Sequence, residues 1–428
     1  MSTGALLFVN AMQVMTCAGA PRARQGNEMS DAVVTSGTAV LVKGETIAAT
    51  GMEKSLRAEH PDATIIDCER GVLTPGFVDS HTHAIFGRAR YEEQEQRAAG
   101  VPYMEIARQG GGIHASVGDL RSRSADDLFA LAEPRLRALA ECGVTTVEVK
   151  SGYGLTLPDE LRTLQVIQRL AAALPMRIVP TWLGAHEVPL EFRERPHGRR
   201  EYIDLLLHEM LPVIARDGLA RFADVFCEPG VFTVEESRTI LVAARAAGLG
   251  IKLHADELTT GGGAELAGEL RATSADHLAA VSDQGIAALA AGGTVATLLP
   301  GTMLFLGKTT QAPARRLIDA GVAVALATDF NPGTSPTSNF PLILTLGVSQ
   351  LRLSVAEAFM AGTVNGAAAL GMADRVGQLV AGFSADLALW PCSDVREIPY
   401  WYGAGRCRAS WVRGKPCHVH DSALTSRV

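Results

Sequence analysis

Residues 75–83 read Pro75-Gly76-Phe77-Val78-Asp79-Ser80-His81-Thr82-His83. An apolar run stops at two imidazoles, two positions apart. In a strand, side chains alternate between faces, so both rings share one face at the strand's carboxyl end. Two adjacent imidazoles are half of a divalent-metal site of the zinc or iron type. A His-x-His pair also occurs as two exposed or core histidines. The rest of the chain therefore has to supply the remaining ligands.

Working outward, Gly76–Ser80 is the first of eight apolar runs that each end in polar or turn residues. The others are Thr145–Lys150, Arg177–Leu183, Ala223–Cys227, Gly250–His254, Ala272–Asp276, Gly293–Leu299 and Val322–Thr328. Helical patterns lie between most of them, such as Ala125–Cys142, Leu157–Ala173, Val234–Ala247 and Gly263–Leu270. This alternation predicts an α/β chain with a (β/α)8 barrel of the TIM type over 73–371. The rival is an open doubly wound sheet, but no Gly-x-Gly-x-x-Gly turn follows the first strand.

Both flanks read differently. Leu6–Asn10, Thr38–Lys43, Thr46–Thr50 and Thr64–Cys68 are β-rich, and Ala20–Asp31 is a polar stretch expected to be a loop. At the far end, Ala385–Trp390 precedes a hairpin pattern around Gly414, with Ala409–Val412 and Lys415–Val419 as its arms. A discontinuous β domain built from 1–72 and 372–428 is expected.

Reactive residues of such a barrel sit at the carboxyl ends of its strands. There the sequence places His81 and His83, Lys150 to Gly154, His186, His254 with Glu257, Asp276 with His277, and Asp329 with Asn331 to Thr334. Five of the eleven histidines fall at these points, which makes the His-x-His pair far more informative. Three imidazoles and one carboxylate suit a borderline-soft divalent ion, and such an ion lowers the pKa of bound water to about 7. Asp329 is placed to take the water's proton. His277 could polarise a carbonyl or steady an oxyanion, and Glu257 could shuttle a proton. Plainer roles compete: a backbone-bonded His277, a helix-capping Glu257, a loop-orienting His186. Lys150 could be a carbamylated metal bridge, but it ends strand two rather than strand four, which favours one metal ion. His60, His114, His197, His208, His418 and His420 are expected to have no chemical role.

Composition sets the limits. The 428 residues are 47% hydrophobic and 20% charged, ordinary for a globular protein, and the net charge of −7 argues against nucleic-acid or membrane-surface partners. No apolar run approaches about eighteen residues, and the first twenty lack a basic region before apolar residues. A cytoplasmic protein is expected. Seven scattered cysteines without a Cys-x-x-Cys pair indicate reduced thiols.

With these residues assembled, the chain resembles the amidohydrolase superfamily: His-x-His after strand one, His after five and six, Asp after eight, and a terminal β domain. Further stretches resemble the imidazolonepropionase family in particular. They are Phe86–Arg90, Gln109–Ile113, Glu148–Gly154, His254–Glu257, Ser274–His277 and Ala327–Gly333, with the similarity running from about Asn10 to His418. The resemblance implies hydrolytic ring opening of 4-imidazolone-5-propanoate to N-formimidoyl-L-glutamate, in histidine degradation. It implies His81, His83, His254 and Asp329 as ligands of one zinc or iron ion. Arg90, Tyr153, His186, Asn331, Gly333 and Thr334 would contact substrate, with Glu257 in the pocket, and a homodimer is implied. Arg90 is a planar double donor suited to the propionate carboxylate, although Glu92 and Glu93 nearby could hold it in a surface ion pair. Gly333 and Thr334 would offer backbone donors and a hydroxyl. In the expected mechanism Asp329 takes a proton from metal-activated water, His277 stabilises the oxyanion and Glu257 protonates the departing ring nitrogen. The nearest alternative is a deaminase of a heterocyclic base; a non-catalytic scaffold would have lost ligands that are all present.

Overall fold

A computed structural model describes residues 4–101, 105–106 and 110–420; Gln109 of the Gln109–Ile113 stretch lies outside them. Eight parallel strands form one sheet in chain order. They are β1 (Phe77–Asp79), β2 (Val144–Lys150), β3 (Arg177–Ala185), β4 (Phe222–Cys227), β5 (Gly250–Ala255), β6 (Ser274–His277), β7 (Val295–Leu298) and β8 (Val324–Leu326). The sheet closes just beyond β1 and β8. Thr82 bridges Phe330 in parallel, His83 N donates to Phe330 O at 2.9 Å, and Asp329 N donates to His81 O at 3.0 Å. Lower in the seam, the Asp79 carboxylate accepts from Thr328 N (3.0 Å) and Thr328 Oγ1 (2.6 Å). A barrel results.

Period-two alternation decides which side chains enter it. On β2, Val147 and Val149 join the helix-facing core, while Glu148 and Lys150 turn inward. On β5, Ile251, Leu253 and Ala255 face outward, and Lys252 and His254 inward. β4 and β6 repeat the pattern with Asp224 and Asp276. The upper barrel interior is thus charged instead of being filled with aliphatic layers.

The outer helices start at local signals. Ser124, Thr156 and Thr233 each accept a backbone N–H three residues on, opening Ala125–Glu141, Leu157–Ala173 and Val234–Ala246. Several elements escape a periodicity reading: Tyr91–Ala98 and Ile113–Arg121 between β1 and β2, Phe340–Ser349 and Val355–Gly362 after β8, and a short turn Gly26–Ser30 inside the expected loop. Each is short, or buried nearly all round, and so lacks a clean polar face.

The flanks form two sheets. One runs Thr46–Met52, Thr38–Lys43, Leu6–Val9, Thr64–Asp67. The other joins both ends of the chain in the order Lys415–Val419, Ala409–Val412, Leu387–Trp390, Val72–Pro75, Gln13–Met15, Val34–Thr35. Val72–Pro75 pairs antiparallel with Leu387–Trp390, so this sheet runs past residue 72 to the foot of the barrel. Phe8 meets Trp411 edge-on at 4.9 Å in the core that the two sheets share.

Gly143 is the joint between barrel and sheet. Its φ is +82°, its carbonyl accepts from Phe77 N at 2.8 Å, and a Cβ there would stand 2.6 Å from the Trp390 ring. Gly143→Ala is therefore expected to cost about 1–3 kcal/mol through backbone strain alone. Thermal denaturation checks this, and an unchanged melting temperature would contradict it.

Candidate metal centre and active-site cavity

The closing seam brings His81, His83 and Asp329 together, and β5 adds His254. Nε2 of His83 lies 3.2 Å from Nε2 of His81 and 3.4 Å from Nε2 of His254. Asp329 Oδ1 stands 3.5 Å from Nε2 of both His81 and His83. A four-coordinate ion with bonds of about 2.1 Å spaces its donors roughly 3.4 Å apart. Those four separations match that spacing, and three imidazoles with one carboxylate suit a zinc- or iron-sized ion in chemistry. Burial, reinforced by nearby cationic groups, holds His81 and His83 well below the ordinary imidazole range. Their rings are neutral, with lone pairs available.

Orientation comes from beneath. His81 Nδ1 donates to Asp276 Oδ2 at 2.6 Å, and His254 Nδ1 lies 3.1 Å from Asp224 Oδ2. The proton on Nδ1 leaves Nε2 as the donor atom facing the centre. Lys150 Nζ donates to Asp224 at 2.7 Å and lies 2.8 Å from Glu148; Lys252 Nζ lies 2.9 Å from Glu148 and donates to Ser80 O at 2.8 Å. Burial alone would discharge Lys150, but the carboxylates of Asp224, Glu148 and Asp276 outweigh it and hold the ammonium above its usual pKa. A charged amine engaged in this way is not the neutral nucleophile that carbamylation needs.

Asp329 ties the centre to its roof. Its Oδ2 accepts from Thr302 Oγ1 at 2.6 Å, and its φ is +52°, a left-handed conformation uncommon for a residue with a Cβ. Burial pushes its carboxyl up to about 6, against the Thr302 bond. His277 has φ +80° and brings a ring nitrogen within 4.8 Å of those of His81 and His254. Strained backbone of this kind gathers at working sites.

Above the centre opens a cavity of about 660 Å³. Arg90, Tyr153, His186, Glu257, Asn331 and Thr334 line it, with His83, His254, His277 and Asp329 also exposed to it. Residues expected from six separate strand ends therefore share one chamber. The six histidines expected to be inert do not line it. His186 Nδ1 donates to Gly152 O at 3.0 Å, and burial lowers its pKa to about 3. The ring thus orients a loop and also presents a neutral Nε2 acceptor. Burial, with Asp329 and Glu228 nearby, raises Glu257 to about 8, so it is protonated at neutral pH. Its Oε2 lies 3.5 Å from His277 Nε2.

Arg90 pairs with Glu93, but not at the surface. Its Nε lies 3.3 Å from Glu93 Oε1, yet the pair is buried and the guanidinium faces the cavity. Gly333 packs so closely that a Cβ there would overlap the guanidinium at 1.6 Å. The backbone donors expected of Gly333 and Thr334 are already engaged: both N–H groups donate to Asn331 Oδ1, at 2.8 and 2.7 Å. Gly333 contributes room, not a free donor.

Sequence reading did not single out Asp224, Glu148, Lys252, Thr302 or Arg97. Arg97 lines the cavity and donates to Gly333 O at 3.2 Å. Glu148 and Lys252 alternate with Lys150 and His254 on otherwise apolar strands, and Asp224 is the single charged residue of β4. Thr302 and Arg97 carry no such mark.

A sequence profile for the Amidohydrolase family matches residues 95–418. The imidazolonepropionase of Symbiobacterium thermophilum is 48% identical over 414 residues, covering 96% of each chain. That of Geobacillus kaustophilus is 45% identical over 424 residues, covering 98% of this chain and 99% of its own. Among solved structures, 5-methylcytosine deaminase from Klebsiella pneumoniae superimposes with a TM-score of 0.71 at 18% identity, over 97% of this chain and 98% of its own. That likeness speaks to the fold.

Metal-free protein is expected to take up zinc with an affinity that falls as pH drops through about 6. Asp329 is raised from its usual range, so below that pH it is protonated and ceases to be an anionic donor. Zinc titrations against a chromophoric chelator between pH 5 and 8 read this directly. Asp329→Asn should weaken binding at pH 7.5 by at least about tenfold and flatten the pH dependence.

Proposed function

The chain belongs to the amidohydrolase family, on its imidazolonepropionase branch, and from that premise we propose that it opens the ring of 4-imidazolone-5-propanoate with water, giving N-formimidoyl-L-glutamate. One observation carries the reading: an imidazole–carboxylate metal cradle, a guanidinium and a protonated carboxyl share one cavity of suitable size. A ring-opening hydrolase for an anionic substrate needs all three.

A divalent zinc or iron ion held by His81, His83, His254 and Asp329 would supply Lewis acidity and bring the pKa of water near 7. Arg90 binds the propionate carboxylate through paired N–H donors, its plane fixed by Glu93 and by the close approach of Gly333. Asn331 holds the turn around Gly333 and Thr334 and so shapes that wall. Tyr153 and the acceptor Nε2 of His186, which line the same cavity, orient the ring. Asp329 takes a proton from the attacking water. As water adds to the ring carbonyl carbon, an N–H of neutral His277 steadies the oxyanion that forms on the oxygen attached to that carbon. The bond from that carbon to the adjacent ring nitrogen then breaks, and Glu257 delivers its proton to the departing nitrogen.

The same proposal includes one ion per chain, a homodimer and a cytoplasmic enzyme with no nucleic-acid or membrane partner. It divides the chain into 1–72, 73–371 and 372–428. A net charge of −7 supports the absence of polyanionic partners, and no described helix is long and apolar enough to cross a membrane.

The deciding assay follows imidazolone absorbance together with ammonia. Loss of the substrate without ammonia release supports ring opening, whereas stoichiometric ammonia from a heterocyclic base would support a deaminase. Arg90→Ala should lower kcat/KM about 10- to 100-fold, chiefly through KM, as expected for losing a charge-assisted pair. Glu257→Gln should lower kcat by roughly 10²–10⁴. Because Glu257 acts as an acid with its pKa raised to about 8, kcat should fall as pH rises through that value. The variant should lack that alkaline limb.

A further inference from the structure

Beneath the metal ligands lie five ionisable side chains that the proposed chemistry does not use. Glu148, Lys150, Asp224, Lys252 and Asp276 are all at most 1% exposed, and they come from four strands. They form one connected body. Lys150 Nζ reaches Asp224 (2.7 Å), Glu148 (2.8 Å) and Asp276 (3.7 Å); Lys252 Nζ reaches Glu148 (2.9 Å) and Asp276 (3.6 Å). Ser274 Oγ fixes the far oxygen of Asp276 at 2.6 Å, and Thr181 Oγ1 fixes Glu148. Two of the carboxylates touch metal-ligand imidazoles, His81 through Asp276 and His254 through Asp224.

We propose that Asp224 and Asp276 are positioning residues for the metal centre and that Lys150, hydrogen-bonded to Asp224 and in ionic contact with Asp276 at 3.7 Å, makes the two imidazoles align as one unit. The chemistry is simple. A carboxylate on Nδ1 fixes the tautomer and the ring plane, and raises the basicity of Nε2. An ammonium shared by two carboxylates links the position of one to that of the other, so losing either loosens both. The five charges leave one net negative, and Asp329 adds a second. The cradle and its foundation together complement a dication. This inference rests on the metal-centre reading above.

Zinc binding by purified full-length protein, stripped and titrated against a chelator, supplies the test. The variants are Asp224→Asn, Asp276→Asn and their double. Each single change is expected to weaken zinc affinity about 10- to 100-fold and to shift the visible spectrum of the cobalt(II)-loaded protein. In the double variant the loss should fall short of the product of the two singles by at least about threefold. Unchanged affinity and spectrum in the singles overturn the positioning role. A purely structural role would lower the melting temperature of the metal-free protein without moving the cobalt spectrum, and also overturns it. Losses that multiply overturn the linkage through Lys150. If the asparagine variants do not fold, Ser274→Ala loosens Asp276 without touching a charge, and should still weaken zinc affinity severalfold; wild-type affinity there overturns the proposal. Wild-type protein is the control: failure to bind zinc or iron at all would instead sink the metal-centre reading.

Discussion

Five ionisable side chains sealed inside a parallel barrel are the constraint on which the remaining structure depends. Burying a charge without a partner costs several kcal/mol, so Lys150, Lys252, Glu148, Asp224 and Asp276 are stable only as a set. Their places are fixed by strand alternation: the same period that sends Val147, Val149, Ile251 and Leu253 outward into the helices sends the charges inward. The strands hold the charges, the charges hold Asp224 and Asp276, and those hold His254 and His81. Replacing one member would strand the others in a low-dielectric interior.

The cavity above uses a different physics. Three of its titratable groups have displaced acid–base behaviour, because burial weighs on them without full compensation. Glu257 is held neutral by burial and by neighbouring carboxylates, while His186 and His277 are held neutral by burial beside other imidazoles. Below the ligands, each of the five charged side chains has an oppositely charged neighbour within 4 Å. Above them, proton positions are left adjustable, which is what a hydrolytic step requires.

Much of this could be read from the chain itself. Apolar runs ending in His81-Thr82-His83, His254, His277 and Asp329 were enough to imply a barrel with a metal centre at one mouth, because residue type and strand end coincide there. The separation of donor atoms was not legible, since it depends on closure between β1 and β8. Nor was the engagement of the Gly333 and Thr334 amides by Asn331, a local turn with no periodic signature. Lys150 shows the limit most clearly. Its place at the end of strand two, not strand four, spoke against a metal-bridging amine but did not say where the side chain goes. The side chain points into the barrel, where three carboxylates surround it.

The seam that closes the barrel also has a consequence for how the protein comes to be. Asp79 and Thr328 are separated by 249 positions, and His81, His83 and Asp329 are assembled by the same join. Contacts so distant along the chain carry a large loop-closure cost and are expected late in folding. A nascent chain therefore offers no complete ligand set until nearly the whole barrel has been made. For a centre proposed to hold an ion at that join, metal acquisition would be a late event of maturation, and the bound ion would clasp the two ends of the barrel together.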